Sequence, residues 1–147
     1  MLPTSLSLPM WAELEDRSGE VIELVPVKVK FRYRTDDPFA VVLDFAVGAE
    51  QWVRWHIARD LLAEGLALAP RTPTSVGEGD VALAPDLDVP WRVWITLSSP
   101  TGVADFAFKR ASLVDALAKT EALVPIGTES DRIDWDREFA ALGGEAA

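Results

Sequence analysis

Two neighbouring segments of the chain place large apolar residues at every second position, and this period constrains the fold more than any other feature. In residues 27–34 the apolar side chains occupy the odd positions. The even positions carry four basic residues, Lys28, Lys30, Arg32 and Arg34. After a turn at residues 35–38, large apolar residues again occupy the odd positions, namely Phe39, Val41, Leu43, Phe45 and Val47. A period of two predicts β-strands, so the two segments are expected to form an antiparallel hairpin with one apolar and one charged face.

The requirement that the two apolar faces coincide also fixes which residues face each other across this hairpin. Even-numbered residues must oppose even-numbered ones, because a slip of one residue turns every side chain to the other face. Pairing Arg34 with Ala40 satisfies this condition. Lys30 then lies opposite Asp44, and we predict that register.

The remaining pattern predicts a single α+β domain built on a strongly curved antiparallel β-sheet or barrel. Pro26 is expected at a bulge or an edge, and residues 70–79 are expected to form a surface loop. We predict about seven strands, near residues 10–14, 20–34, 39–47, 51–57, 80–84, 91–97 and 103–108. About three short helices should follow residue 58, begin at Ser112, and run from near Asp134 to Gly143-Gly144. The domain should span residues 10–142, with flexible ends at 1–9 and 143–147.

Composition narrows the classes of function. A chain of 147 residues can bury its own core, and the absence of cysteine excludes disulfides and thiol catalysis. The formal net charge of -10 argues against unaided nucleic-acid binding, which depends on Lys and Arg. The sequence has no signal-peptide pattern and no apolar run of about 20 residues. We therefore expect a cytoplasmic protein without membrane insertion.

No group of residues has the pattern of a catalytic or metal site. The single histidine, His56, has helical spacing to Asp60 and Glu64, but a switch from strand to helix between them breaks the shared face. Residues 77–80 lack the acidic spacing of a calcium loop, and no G-x-S-x-G motif occurs. We expect a protein that is not an enzyme and that has neither cofactor nor metal.

The four basic residues of 27–34 leave alternatives open, because like charges on one strand face repel each other unless they are neutralised. Carboxylates on neighbouring strands could neutralise them, and the candidates are Glu13, Glu15, Glu23 and Asp44. Alternatively, the four residues form a docking surface for an acidic partner. Nearby Trp11, Trp52 and Trp94 could stack with single-stranded nucleic acid or line a subunit interface, and we favour the interface. A small ligand inside the barrel is a further, weaker alternative.

Five short motifs keep one order along most of the chain. They are Asp37-Pro38-Phe39-Ala40-Val41, residues 55–66 (WHIARDLLAEGL), Gly77-Glu78-Gly79-Asp80-Val81, Ser98-Ser99-Pro100-Thr101-Gly102 and Val124-Pro125-Ile126-Gly127-Thr128-Glu129. Together they resemble the SsgA-like proteins, sporulation and cell-division regulators of actinobacteria. The matching structural residues are Asp37, Pro38, Trp55, Arg59, Asp60, Leu61, Leu62, Gly65, Gly79 and Asp80. Within residues 55–66, Arg59 and Asp60 should start a helix. Leu61 and Leu62 should anchor this helix to the sheet, and Gly65 should help to end it.

The resemblance implies a curved sheet like that of the whirly proteins, assembly into a homotrimer, and a non-enzymatic role at the sporulation septum. It implies partners among septal or cell-wall proteins, such as the tubulin-like division GTPase FtsZ. Ile57, Ala82 and Ala84 depart from the family pattern, which indicates a divergent paralogue. The alternative is a whirly-like protein that binds single-stranded nucleic acid.

Overall fold

An antiparallel sheet curled into a half-barrel forms the body of the protein, which a computed structural model describes for residues 3–146, with side chains to residue 142. Its eight strands are β1 (Ser5–Asp16), β2 (Glu23–Arg34), β3 (Asp37–Gly48), β4 (Gln51–Ala58), β5 (Val76–Glu78), β6 (Val81–Pro85), β7 (Arg92–Ser99) and β8 (Gly102–Lys109). Three α-helices accompany them within the described residues: α1 (Arg59–Ala67), α2 (Arg110–Leu123) and α3 (Trp135–Ala146). A short 3₁₀ helix covers Glu129–Arg132. The α+β prediction is confirmed, with eight strands rather than about seven.

The sheet order is β4-β3-β2-β1-β8-β7-β6-β5. Strands β3 and β8 are three positions apart in this order, so in a flat sheet the distance between them would be about 14 Å. Yet the ring centroids of Phe45 on β3 and Phe106 on β8 are 4.3 Å apart. The sheet must therefore curl, and this aromatic contact lies on its inner face.

Alternation along the strands fills that inner face. Val29, Phe31 and Tyr33 of β2 are each at most 1% exposed, as the period of two predicts. On β3 the central apolar residues are buried too, whereas Phe39 and Val47 at its two ends are exposed. The core therefore lies under the middle of the hairpin.

The predicted hairpin register is confirmed at one point and wrong at the other. Lys30 pairs with Asp44, as matched faces require. Arg34 pairs with Asp37 rather than with Ala40, because the register shifts between Arg32 and Arg34. Because of this shift, only residues 35 and 36 lie between the paired residues Arg34 and Asp37. Uniform pairing of Arg34 with Ala40 would have left a longer turn.

Other boundaries differ from the sequence prediction. Strand β1 begins at Ser5, before the expected domain start at residue 10, and it pairs with β2 from there. The predicted loop at 70–79 contains β5, which forms a hairpin with β6. Helix α2 begins at Arg110, so Ser112 lies inside it rather than capping it. Helix α3 continues beyond Gly143-Gly144, while the expected flexibility of residues 1, 2 and 147 lies outside the described residues.

Helix α1 packs across the inner face, and Gly65 makes this packing possible. Leu61 and Leu62 are buried, as expected of the residues that anchor the helix. The helix runs on to Ala67, so Gly65 does not end it. A Cβ atom at Gly65 would lie 2.6 Å from the Cβ of Leu83 on β6. The glycine is needed for close approach of helix and strand.

We predict that Gly65→Ala destabilises the fold. Forcing a methyl group into this contact should cost about 1–3 kcal/mol, more than the roughly 1 kcal/mol that alanine gains over glycine in a helix. Urea unfolding monitored by circular dichroism measures the difference. Gly19→Ala is the control, because its added Cβ would meet nothing closer than the Val21 carbonyl at 3.9 Å. Equal stability of the two variants would contradict the packing role.

Candidate protein-binding surface

The segment that resembles the SsgA-like helix motif places one arginine inside the protein. Arg59 is 2% exposed at the start of α1. Its Nη1 donates to the Val124 carbonyl at 2.8 Å and lies 3.5 Å from Thr120 Oγ1. Its Nη2 is 3.5 Å from Glu129 Oε1, an ionic contact. The guanidinium therefore joins α1 to the segment that follows α2.

The same guanidinium also contacts the ring of Tyr33, which connects the cluster to the hairpin. Arg59 Cζ lies 5.3 Å from the Tyr33 ring centroid, within cation–π range. The Tyr33 hydroxyl donates to the Pro38 carbonyl at 2.9 Å. We call Tyr33, Pro38, Arg59, Thr120, Val124 and Glu129 the Arg59 cluster. Three of the five sequence motifs thus meet at one buried point.

Burial and hydrogen bonds set the ionisation of this cluster. Burial raises the pKa of Tyr33, against the opposing charge of Arg59. The pKa of Glu129 is lowered, first by the N–H of its own backbone, and also by the Gly127 N–H and by Arg59. Burial opposes that shift without reversing it. The cluster holds a tyrosine hydroxyl and an ion pair, an arrangement that ties segments together.

The other structural motif residues have local roles. Gly79 has a φ of +60° in the turn between β5 and β6, and the carbonyl of Asp80 accepts from the Ser98 N–H at 2.9 Å. Trp55 packs half-buried against the core. Asp37 and Asp60 are exposed. The turn into a strand expected at residues 77–81 is present.

The four basic residues of β2 lie on the outer face of the sheet, opposite the core. Arg32 Nε is 2.8 Å from Asp44 Oδ2. Arg54 on β4 binds the same carboxylate through Nε at 2.8 Å and Nη2 at 3.1 Å. Asp44 is only 4% exposed although it lies on the outer face. Arg54 was missed from the sequence, although continuing the hairpin register across the next turn would have placed it opposite Asp44.

The two lysines contact tryptophan rings instead. Lys30 Nζ lies 4.5 Å from the ring centroid of Trp52, and Lys28 Nζ lies 5.8 Å from that of Trp11. Trp52 is 43% exposed and Trp11 is 58% exposed. Among the described side chains, neither lysine has a carboxylate within 4 Å. We call Lys28, Lys30, Arg32, Arg34, Arg54, Trp11 and Trp52 the basic–aromatic face.

Neutralisation by neighbouring carboxylates is therefore incomplete. Of the four carboxylates considered, Asp44 alone pairs with a basic residue of β2. Glu15 binds Arg17 at 2.7 Å, Glu13 lies opposite Pro26, and Glu23 lies opposite Asp16. Arg34 forms a two-point pair with Asp36 in the turn, at 2.8 Å for each bond. A net positive charge remains on this face of an acidic protein.

Trp94, the other tryptophan considered from the sequence, lies elsewhere. It is on β7, separated from β2 by β1 and β8, and its indole N–H donates to Asp86 Oδ2 at 2.7 Å. Burial acts to raise the pKa of Asp86, but the N–H groups of Val89 and Asp88, together with Trp94 and Arg92, lower it. Trp94 is thus half-buried and bound to a structural carboxylate rather than part of the basic–aromatic face.

The described residues hold no cluster of metal ligands. His56 is exposed on β4, and Asp60 and Glu64 are exposed on α1. Over residues 3–142, whose side chains are described, no three His, Cys, Asp or Glu side chains converge as metal ligands would. None of the helices in this range has the length and apolar character needed to cross a membrane.

Comparison with known proteins assigns this curled α+β domain to a family. Residues 27–129 match the model of the family described as Streptomyces sporulation and cell division protein, SsgA. The match covers more than half of the chain, so the chain belongs to the SsgA family. The matched range contains the whole Arg59 cluster and, except for Trp11, the whole basic–aromatic face.

Individual relatives agree with this assignment. The sporulation-specific cell division protein SsgB of Saccharopolyspora erythraea is 45% identical over 80% of this chain and 79% of its own. SsgB of Streptomyces coelicolor is 42% identical over 83% and 85%, respectively. A solved SsgA-like sporulation-specific cell division protein from Thermobifida fusca superimposes with a TM-score of 0.78 at 37% identity, over 94% of this chain and 95% of that one. A further solved structure is that of SsgB, reported with mutations that correlate to longitudinal cell division during sporulation of S. coelicolor. It superimposes with a TM-score of 0.77 at 38% sequence identity, over 90% of this chain and 98% of that one.

We predict that Tyr33→Phe destabilises the protein by about 1–2 kcal/mol, because the buried Pro38 carbonyl loses its donor. The phenylalanine ring still faces Arg59, so the loss isolates the hydroxyl. Urea unfolding measures the change in the free energy of unfolding, with Ser75→Ala as a control that removes an exposed hydroxyl. A loss below about 0.5 kcal/mol, the usual range for surface changes, would show that the hydrogen bond is dispensable.

The Asp44 carboxylate should stabilise the fold to an extent that depends on pH. The hydrogen bonds from Arg54, and then the charges of Arg54 and Arg32, hold the pKa of Asp44 below that of an ordinary aspartate in spite of its burial. The folded pKa is the lower one, so the stabilisation is present above the unfolded pKa and is lost as pH falls through the folded pKa. Asp44→Asn should therefore cost more stability at neutral pH than in acid.

Urea unfolding of wild type and Asp44→Asn at pH values from neutral to about 2 tests this linkage. The gap between the two should narrow as the pH falls below about 4. Glu64→Gln, an exposed change on α1, corrects for the altered net charge. A gap that stays constant with pH would contradict the assigned role of the carboxylate.

Proposed function

We propose that this protein is a non-enzymatic regulator of sporulation-specific cell division, acting as an adaptor that localises or controls septum assembly through protein–protein contacts. Its membership of the SsgA family supports a role in sporulation division. Relatives that are named sporulation-specific cell division proteins match most of its length. The proposal places the protein in the cytoplasm, at the septum, and requires no cofactor.

The basic–aromatic face is the observation that carries the adaptor proposal. Lys28 and Lys30 lie beside exposed tryptophans, without a carboxylate partner among the described side chains. Tryptophan and arginine are enriched where proteins bind one another, and tryptophan supplies much of the binding free energy. On a chain of net charge -10, this face can attract acidic segments that the rest of the surface repels.

The proposed partner is an acidic segment of a septal or cell-wall protein such as FtsZ. Lys28 and Lys30 would supply long-range attraction, while the rings of Trp11 and Trp52 would supply contact area. Arg32 and Arg54 are held by Asp44 and would contribute mainly a fixed positive potential. Self-association, as the homotrimer that the family resemblance implies, is part of the proposal.

A second candidate function is the binding of single-stranded nucleic acid. Trp11 and Trp52 are exposed beside lysines, and bases stack on aromatic rings. The overall charge of -10 opposes such binding. Titration of the purified protein with a labelled oligonucleotide at low and moderate salt separates the two functions. Tight binding that weakens steeply with salt would favour the nucleic-acid function over the adaptor.

We predict that Lys28→Gln combined with Lys30→Gln weakens FtsZ binding about 5- to 10-fold, equivalent to about 1 kcal/mol. Pull-down from a sporulating actinobacterial lysate, with quantitative detection of FtsZ, followed by titration with the purified proteins, measures the effect. Arg71→Gln with Arg137→Gln removes the same charge from exposed sites away from this face and should leave binding unchanged. If wild type captures neither FtsZ nor another septal or wall-synthesis protein, the adaptor proposal fails.

A further inference from the structure

Helix α3 presents a row of large apolar side chains that the described part of the chain leaves uncovered. Trp135, Phe139 and Leu142 are spaced by four and three residues, which places them on one side of a helix. They are 47%, 65% and 63% exposed, respectively. The Trp135 and Phe139 rings lie 6.2 Å apart, so they form one continuous patch. An amphipathic helix with its apolar side exposed is suited to binding another surface.

The start of α3 is fixed, and it is acidic. Asp134 Oδ1 accepts the backbone N–H of Arg137 at 3.0 Å, which caps the helix. The Trp135 indole N–H donates to the Ser130 carbonyl at 3.2 Å. Asp134, Asp136 and Glu138 accompany the apolar residues, with Arg137 as the one basic residue among residues 134–142. A surface that covers this helix should therefore be both aromatic and basic.

Two exposed surfaces of the same protein are candidates for covering α3, and each can be checked for aromatic and basic side chains. The open end of the half-barrel holds a cavity of about 320 Å³ near Val47, Val53 and Val103, but the residues that line it carry no charge. The basic–aromatic face combines exposed Trp11 and Trp52 with unneutralised lysines. The basic–aromatic face meets both requirements.

We propose that α3 of one copy of this chain binds the basic–aromatic face of a second copy. The proposal rests on the proposed function in two respects, namely that this face is a binding surface and that the protein associates with itself. Acidic residues of α3 would approach Lys28 and Lys30, and its apolar residues would cover the rings of Trp11 and Trp52. Opposite charges then meet on two surfaces that the single chain leaves open.

The dimensions of the two surfaces agree. A helix of 12 residues, the length of α3, is about 18 Å long. Lys28 and Arg34 are six residues apart on β2, which corresponds to about 20 Å of strand. One α3 can thus lie along the basic residues of β2 from end to end.

This contact would be heterologous, since each copy donates a helix and accepts one on a different surface. Such contacts form closed rings when the rotation between copies permits. The contact would also occupy the face proposed for the acidic partner. Self-assembly and partner binding would therefore compete, and an acidic partner would displace the helix of a neighbouring copy.

Light scattering on the purified chain tests the contact independently of FtsZ. Wild type should form an assembly heavier than the 16.1 kDa chain. Phe139→Asp on the helix, and Lys28→Gln with Lys30→Gln on the face, should each reduce the measured mass to that of one chain. Val114→Asp, a matched change at an exposed apolar position of α2, should leave the assembly intact. Circular dichroism confirms that each variant is folded.

An equal mixture of the two disrupted variants identifies the geometry. The first keeps an intact face and the second an intact helix, so the mixture should contain two-chain species that neither variant forms alone. A monomeric wild type, including one whose α3 folds back onto its own face, would overturn the proposal. So would an assembly that survives either the helix change or the face change. Failure of FtsZ capture in the pull-down would leave these outcomes unaffected.

Discussion

The buried guanidinium of Arg59 is the interaction on which the arrangement of the chain depends. Removing a charge from water is costly unless hydrogen bonds and an opposite charge replace the lost hydration. The Val124 carbonyl, Glu129 and the Tyr33 ring supply these replacements from segments that are far apart in sequence. Each of them must reach its place for the arginine to be accommodated, so the cluster selects one arrangement of hairpin, first helix and C-terminal segment.

On the outer face of the sheet, ion pairs at the surface replace the buried cation–π and hydrogen-bond contacts of Arg59. Asp44 is almost fully covered, yet it stays ionised because two arginines approach it from neighbouring strands. Each arginine keeps about half of its side chain in water, so the cost of burial falls mainly on the carboxylate. Among the described side chains, no carboxylate binds the neighbouring lysines, which lie against indole rings. One part of this surface is therefore fixed by ion pairs, and the adjoining part is left available for contact.

Periodicity predicted those properties of the fold that depend on which face a side chain occupies. The burial of Phe31 and the pairing of Lys30 with Asp44 follow from matching two apolar faces across one turn. The shift next to Arg34 could not be predicted in this way, because a bulge changes the residue count without changing the pattern of polarity. Gly65 was misassigned as a helix end for a related reason, since its neighbour Leu83 lies 18 positions further along the chain.

The features of the Arg59 cluster and of the basic–aromatic face that could not be predicted from the sequence depend on contacts between distant segments. Arg59 was recognised from the motif that surrounds it, but its contact with Glu129 required knowing that α2 returns the chain to α1. Trp94 was grouped with Trp52 because both occupy polar faces of their strands, and the sheet order then separated them. Face assignment follows from local sequence, whereas adjacency across a curled sheet does not.

The seam between β1 and β8 has a mechanical consequence. Two four-stranded halves of the sheet meet along only three residue pairs, from Ala12–Phe108 to Leu14–Phe106, whereas β1 and β2 share twelve. Few backbone hydrogen bonds therefore oppose a change in the angle between the halves. The contact of Phe45 with Phe106 spans this seam from the inside and resists its opening. A load applied to the outer surface would be borne at this joint, where aromatic packing rather than strand pairing supplies the stiffness.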